Sequence, residues 1–114
     1  DAERVLLEVA EVLNSMKNFV AIEGHTDNRP PANESLFPTN WELSTARAVN
    51  VTKFMITEGA VDAARLHAAG YGEYHPSKSS EMNASPEERA YNRRVEIIIL
   101  SEENYGKLDT GAYH

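Results

Sequence analysis

Cysteine is absent from this chain of 114 residues, which excludes disulfide bonds and thiolate metal sites. Long hydrophobic runs are also missing, so no stretch of the sequence is long enough to cross a bilayer, and no signal peptide is visible. Positive charge is scarce, because 18 acidic residues outnumber 11 lysines and arginines and leave a net charge of -7. This balance excludes a basic nucleic-acid interface and electrostatic docking on anionic lipid. The lack of cysteine is compatible with a cell-envelope location.

The remaining composition is that of a folded domain. Hydrophobic residues make up 41% of the chain and charged residues 25%, and this length is enough for one domain with its own core. The first residues already follow a helical pattern, so we expect the chain to be an excised part of a longer protein.

Hydrophobic periodicity predicts three helices that alternate with three strands. The predicted helices cover residues 1–18 and 41–58 and begin again near residue 86; the predicted strands cover residues 19–22, 66–71 and 94–100. The expected fold is an α/β sandwich of the α+β kind, with helices packed on one face of a small mixed sheet. Three strands make a thin sheet, which a further strand before Asp1, or one supplied elsewhere, would extend.

Local signals set the limits of these elements. A capping box at Thr39–Glu42 predicts the start of the second helix, with Asn40 as an alternative cap, and Ser85–Glu88 predicts a third helix start. The segment 28–38 contains three prolines and is predicted to be a long loop. Residues 101–114 are polar and aperiodic, so we expect a loosely attached tail.

Arg47 is the residue that stands out in the second helix. Helical spacing places it on one face with Leu43, Val51 and Phe54, and a guanidinium within an apolar stripe is costly unless an anion meets it. Asp27 follows the first predicted strand, at an edge where α/β sheets commonly bind ligands. One interpretation is an ion pair that fixes the loop to the helix. The other is a binding site for a zwitterion, with Asp27 facing an ammonium and Arg47 a carboxylate.

Four further candidates have weaker support. No second histidine lies at metal-ligand spacing from His25, which favours a hydrogen-bonded structural histidine and no metal site. Trp41 would suit stacking on a sugar, but an anchor that packs the loop is the simpler interpretation. Asp27, Glu34 and Glu42 include the carboxylates that a glycosidase would need, yet nothing fixes two of them face to face. The cluster Asn92–Arg94 precedes the last predicted strand, where two solvated arginines at a strand edge are the simpler interpretation. The alternative is that Asn92 supplies amide hydrogen bonds and one of the two arginines adds a second carboxylate contact.

Together, these residues resemble the OmpA-like peptidoglycan-binding domain. The matching stretches follow the family's order and span about residues 1–100: Ile22–Asn28, Asn40–Ala48, Val51, Ala69–Gly72 and Asn92–Ile97. Within the family, the Asn40–Ser44 version and the proline-containing loop are similar to the B subunit of the flagellar motor stator, whereas general outer-membrane members have a shorter loop.

The resemblance implies a non-catalytic domain that binds the meso-diaminopimelate of the wall peptide and needs no cofactor. By carry-over, Asp27 would take the ammonium and Arg47 the carboxylate, through charge-assisted hydrogen bonds. The same carry-over implies a pocket lined by Thr26, Asn40, Leu43, Asn92 and Arg94. The extended loop is a departure from the family, and it would either cover the site or reach towards glycan.

The resemblance also implies a periplasmic location and a membrane-anchored parent protein. We therefore expect a stator anchor, with an outer-membrane or secretion-system anchor as the alternative and a wall hydrolase as a more distant one. A homodimer is compatible with wall binding because stator assemblies contain paired B subunits. Residues 1–100 would form the binding domain, and no role is assigned to residues 101–114.

Overall fold

The computed structural model describes residues 1–33, 36–77, 83 and 85–101. Its regular elements follow the predicted alternation of helices and strands. They are α1 (Ala2–Asn14), β1 (Val20–His25), α2 (Asn40–Thr57), a 3-10 turn (Ala63–Arg65), β2 (Leu66–Gly70), α3 (Pro86–Asn92) and β3 (Arg94–Ile99). None of the described helices combines the length and the apolar character that a membrane span requires.

The strands form one mixed sheet in the order β2-β1-β3. The central strand β1 runs parallel to β2 and antiparallel to β3, with Val20 opposite Leu66 on one side and Ile99 on the other. The predicted fold, with helices packed against a small mixed sheet, is confirmed. The two predicted capping boxes are also present, with Thr39 and Ser85 as the cap residues.

The core lies between the sheet and α1 and α2. Because side chains alternate along a strand, Val20, Ile22 and Gly24 face α2, and the residues between them face the other side. The core residues share near-complete burial, and they are Ala10, Leu13, Val20, Ile22, Ala48, Met55 and Val61. Both faces of β1 are shielded, since Ala21 is also 2% exposed.

The carboxyl ends of β1 and β2 carry glycines that allow α2 to approach closely. A Cβ atom on Gly24 would overlap the carbonyl oxygen of Ser44, and one on Gly70 would overlap Thr45. The small residues Ser44 and Ala48 of α2 therefore pack directly on the sheet, and both are fully buried. This close approach holds the first turns of α2 beside the end of β1.

The packing corrects the predicted orientation of α2. The buried residues of this helix are Asn40, Ser44, Ala48 and Met55, whereas Arg47 is exposed. Leu43 is only half-buried and marks the flank of the helix. The prediction placed the large apolar side chains of α2 against the core. In the structure, α2 packs so closely on Gly24 and Gly70 that only small side chains fit between the helix and the sheet. Arg47 is therefore a rim residue and not a buried cation.

Candidate functional site

A cavity of about 230 Å³ opens beside the carboxyl end of β1. The chain leaves the sheet at Thr26 and Asp27, which are both about 95% buried and form its floor. The loop after β1 supplies one wall and the first two turns of α2 the other. The remaining lining residues are Arg29, Pro30, Pro31, Ala32, Asn40, Leu43, Arg47 and Arg93. The predicted residues Asp27, Arg47, Thr26, Asn40 and Leu43 therefore share one cavity.

Asp27 is held by two partners inside the protein. Its Oδ2 atom accepts a hydrogen bond of 2.6 Å from Nη1 of Arg93, and its Oδ1 atom accepts one of 2.9 Å from the backbone N–H of Arg29. A carboxylate has about four acceptor positions, so the bonds from described residues leave two of these unused. The predicted Asp27–Arg47 ion pair is absent from the described contacts, and Arg93 takes that place.

Asn40 connects the loop to the cavity. Its Nδ2 atom donates to the carbonyl oxygens of Asp27 and Arg29, at 3.2 and 2.9 Å. Its Oδ1 atom is buried and has no hydrogen-bond partner among the described residues. A buried acceptor without a partner costs free energy, and an incoming N–H donor would satisfy it.

Arg47 reaches the same cavity from α2. No described residue forms a hydrogen bond or ion pair with its guanidinium, in contrast to that of Arg93. Five N–H donors are thus available at the rim, in the planar arrangement that matches a carboxylate. The cavity combines a buried, partly used carboxylate with an unengaged guanidinium.

Sequence reasoning missed Arg29 as a cavity residue, and of two neighbouring arginines it chose Arg94 instead of Arg93. Arg93 precedes β3 and has a side chain 44% exposed, yet it reaches the 7% exposed carboxylate of Asp27. The structure pairs Arg94 with His25 and places it on the sheet face opposite α2, whereas Arg93, one position earlier, reaches Asp27. The sequence alone carries no signal for this choice, because it does not show the register between the strands.

The structure corrects the placement of Arg94. It lines a different cavity, of about 510 Å³, on the sheet face that α2 does not cover. There its Nε donates to Glu96 at 2.5 Å and its Nη2 donates to the carbonyl oxygen of His75 at 2.9 Å. Arg94 therefore contributes nothing to the cavity of Asp27.

The structure also corrects the placement of Asn92. This side chain is fully buried and does not line the cavity of Asp27. Its Oδ1 atom accepts from the backbone N–H of Ser77, and its Nδ2 atom donates to Oδ1 of Asn83, both at 2.7 Å. Asn92, the last residue of α3, thus holds Ser77 and Asn83 at the end of that helix.

His25 differs from the hydrogen-bonded histidine that was expected. The residue is 3% exposed, and neither ring nitrogen has a hydrogen-bond partner among the described residues. Burial, followed by the nearby Arg94, holds the pKa of His25 below its ordinary value. The ring stacks on Tyr71, with centroids 5.2 Å apart, and faces the second cavity.

Trp41 and the acidic residues occupy other positions. Trp41 is about half exposed, stacks on Tyr74 at 5.2 Å and lines a shallow groove with Leu36 and Phe37 of the loop. Glu42 lines that groove and serves in the capping box, so it is not opposed to Asp27. Glu34 and residues 102–114 lie outside the described residues. The expectation of a catalytic carboxylate at Glu34 and that of a loosely attached tail therefore stay predictions.

Residues 1–93 match the OmpA family. The chain belongs to this family. Motility protein B of Bacillus subtilis is 47% identical over 89 residues, which cover 78% of this chain and 32% of that protein. Outer membrane protein Omp38 of Acinetobacter baumannii is 41% identical over 95 residues, which cover 82% of this chain and 24% of that protein.

Solved structures show the same fold. The cell wall anchor of the T6SS from Pseudomonas aeruginosa has a TM-score of 0.74 and 44% identity, over 87% of this chain and 66% of that one. The periplasmic domain of Helicobacter pylori MotB has a TM-score of 0.78 and 26% identity, over 95% of this chain and 68% of that one. The resemblance to OmpA-like domains is thereby confirmed. The chain spans about a third or less of the two curated relatives named above.

Proposed function

We propose that this domain binds peptidoglycan without catalysing a reaction and anchors a flagellar motor stator to the cell wall. The ligand is the free end of diaminopimelate in the stem peptide, where one carbon carries an ammonium and a carboxylate. The observation that carries the proposal is the shared cavity of Asp27, Asn40 and Arg47, in which opposite charges and an unsatisfied acceptor meet.

Each group of the ligand has a complementary partner. The ammonium would donate to the two unused acceptor positions of Asp27 and to Oδ1 of Asn40, the buried atom that lacks a partner. The carboxylate would accept from Arg47, whose guanidinium is unengaged among the described residues. Arg29 and Arg93 add positive charge to the cavity, which favours the carboxylate and keeps the site from attracting simple cations.

The size of the cavity fits this ligand. About 230 Å³ is below the range of 300–1,000 Å³ typical of sites for drug-sized molecules, and it suits one amino-acid terminus. Pro30 and Pro31 stiffen the wall formed by the loop, so the cavity is largely preformed. A rigid rim reduces the entropy lost on binding.

The relatives support an anchor in the cell envelope. Their names include Motility protein B, and one solved neighbour is described as a periplasmic domain. We infer from these likenesses a periplasmic location and a membrane-anchored parent. A secretion-system anchor is the second candidate, because the cell wall anchor of the T6SS is 44% identical. Restoration of swimming by the parent protein in a strain without Motility protein B would distinguish the two.

The binding proposal is tested by titrating the domain with two muropeptides, one containing meso-diaminopimelate and one containing lysine. Lysine lacks the second carboxylate, so Arg47 would lose its partner. Loss of a charge-assisted hydrogen bond of about 1.5–3 kcal/mol corresponds to a Kd about 10- to 150-fold weaker. We expect the lysine form to bind more weakly by a factor in this range.

Two variants complete the experiment. Arg47→Ala should bind both muropeptides equally weakly, whereas Lys53→Ala removes an exposed cation from the same helix outside the cavity and should behave as wild type. Equal affinity of the wild-type domain for the two muropeptides would reject the proposed role of Arg47. Release of soluble muropeptides from sacculi by the domain would reject a purely binding function.

A further inference from the structure

The sheet face opposite α2 carries a compact group of charged and ring side chains that wall binding does not use. Glu23 of β1 and Glu96 of β3 are directly opposite one another in the antiparallel register. Two like charges at such a position destabilise a sheet unless a cation lies between them. His25 follows on the same face of β1, opposite Arg94.

The three potential ligand residues converge on one point. One nitrogen of His25 and one carboxylate oxygen each from Glu23 and Glu96 all lie within 4.8 Å of one another. Nε2 of His25 is 4.0 Å from Oε2 of Glu96, which is beyond hydrogen-bond distance. The same three residues line the cavity of about 510 Å³.

The buried imidazole of His25, which has no hydrogen-bond partner in the described part of the chain, is a second observation, separate from the clustering of the three side chains, that points to a ligand. Its side chain is 4% exposed and faces this cavity, and both ring nitrogens lack a hydrogen-bond partner among the described residues. A buried imidazole without partners is costly, and the stacked ring of Tyr71 cannot satisfy a ring nitrogen in the plane of the imidazole. Metal coordination would satisfy one nitrogen.

We propose that Glu23, His25 and Glu96 form a binding site for a divalent transition-metal ion of the zinc type. One imidazole nitrogen and two carboxylate oxygens are a ligand set that Zn²⁺ accepts, with a fourth position left for water. Ligand distances of about 2.0–2.2 Å require the two glutamate side chains to move inwards. Glu96 has the freedom to do so, because its side chain is 41% exposed.

Other charged and hydrogen-bonding groups at the site set its affinity. Arg94 donates to Glu96 and so competes with the metal ion, whereas the hydroxyl of Tyr71 donates to Oε2 of Glu23 at 3.0 Å and orients that carboxylate. Metal binding would replace the Arg94–Glu96 ion pair.

The test uses the domain without an affinity tag, with ZnCl₂ as the probe and MgCl₂ as the comparison. Zinc should bind with 1:1 stoichiometry in calorimetry and raise the Tm on the order of 5 °C, because it binds the folded state, and EDTA should reverse the shift. Magnesium should have no such effect, because it prefers octahedral oxygen ligands. Absence of a zinc-dependent shift in the wild-type domain would overturn the proposal.

Single substitutions test which side chains bind the zinc ion. Glu96→Gln and His25→Gln should weaken zinc binding by at least the 10- to 100-fold that loss of an outer-shell partner costs. His67→Gln, in a strand residue outside the cluster, should leave it unchanged. Arg94→Gln should increase the affinity for zinc, because it removes the guanidinium that competes with the metal ion for Glu96. Zinc binding that survives Glu96→Gln at full strength, or that is lost with His67→Gln, would overturn the assignment even if His25→Gln failed to fold.

Discussion

Asp27 and Arg93 form the ion pair of the candidate wall-binding cavity, with 2.6 Å between Oδ2 and Nη1. The pair joins the end of β1 to the residue before β3, across 66 positions of sequence. It holds the carboxylate in place but uses only part of its acceptor capacity. Arg47 is left with its guanidinium at the rim. We therefore infer that Arg93 holds the Asp27 carboxylate in place, whereas Arg47 binds the carboxylate of the ligand.

This division predicts that Arg93→Ala lowers stability more than it lowers ligand affinity. The variant leaves Asp27 buried with one backbone partner, so the free energy of unfolding should fall by about 1–2 kcal/mol. Muropeptide affinity should stay within a few-fold of wild type, because the Asp27 carboxylate loses one internal hydrogen bond and can offer that acceptor position to the ammonium of the ligand. Chemical denaturation and calorimetric titration measure the two quantities. A large loss of affinity with unchanged stability would instead make Arg93 the ligand-binding arginine.

Arg47→Ala should show the opposite pattern. The residue is exposed and has no partner among the described residues, so stability should change by less than about 0.5 kcal/mol. Binding of diaminopimelate-containing muropeptide should be lost or reduced at least about tenfold. Denaturation midpoints of wild type, Arg47→Ala and Lys53→Ala should agree. If Arg47→Ala is strongly destabilised, the arginine has a structural partner and the site needs another donor for the ligand's carboxylate.

Local patterns were sufficient for the alternation of elements and for both capping boxes. They also brought together Asp27 and Arg47, because strand ends and helix starts at one sheet edge are neighbours, whereas Asn40 was implied only by the resemblance to the family. What local patterns could not supply is the register between strands. That register decides that Arg94 turns away from the cavity. Local patterns also could not show that Asn92 is engaged by Ser77 and Asn83.

The orientation of α2 escaped prediction for a related reason. Hydrophobicity alone selects the face with Leu43 and Phe54, whereas the structure buries Ser44 and Ala48. The decisive information lies in Gly24 and Gly70, which are distant in sequence and permit close packing only against small side chains. His25 likewise required the structure, since a lack of hydrogen-bond partners cannot be seen in a sequence.

Gly24→Ala should therefore damage both fold and site. The added methyl group would overlap the backbone of Ser44, and overpacking of this kind costs about 1–3 kcal/mol. Because α2 carries Asn40 and Arg47, its displacement should weaken muropeptide binding as well. Gly72→Ala is the contrast: the added methyl group would meet only the rings of Tyr74 and Trp41, at ordinary van der Waals distances of 3.5 and 3.6 Å, so the cost arises from the positive φ of 62° and is about 1–2 kcal/mol. Equal binding by Gly24→Ala and wild type would show that α2 can shift without harm.

The capping box of α2 gives a prediction that is independent of ligand. The Thr39 hydroxyl accepts from the backbone N–H of Trp41, and Thr39→Ala should lower the free energy of unfolding by about 1 kcal/mol. Thr57→Ala at the other end of α2 is the matched control, since that hydroxyl bonds only within the helix. A smaller loss for Thr39→Ala than for Thr57→Ala would contradict the role of the cap.

Glu42 makes the same cap sensitive to acid. The hydrogen bond from the Thr39 side chain holds the pKa of the Glu42 carboxyl below its ordinary value. A carboxyl whose pKa is lower in the folded state stabilises the fold above the unfolded-state pKa, and this contribution is lost as pH falls through the folded-state pKa. Glu42→Gln can still bond the cap but cannot titrate. The stability advantage of wild type over Glu42→Gln should therefore shrink as pH falls below about 4, as measured by denaturation at a series of pH values. A difference that stays constant from neutral to acidic pH would mean that the charge of Glu42 does not contribute to the cap.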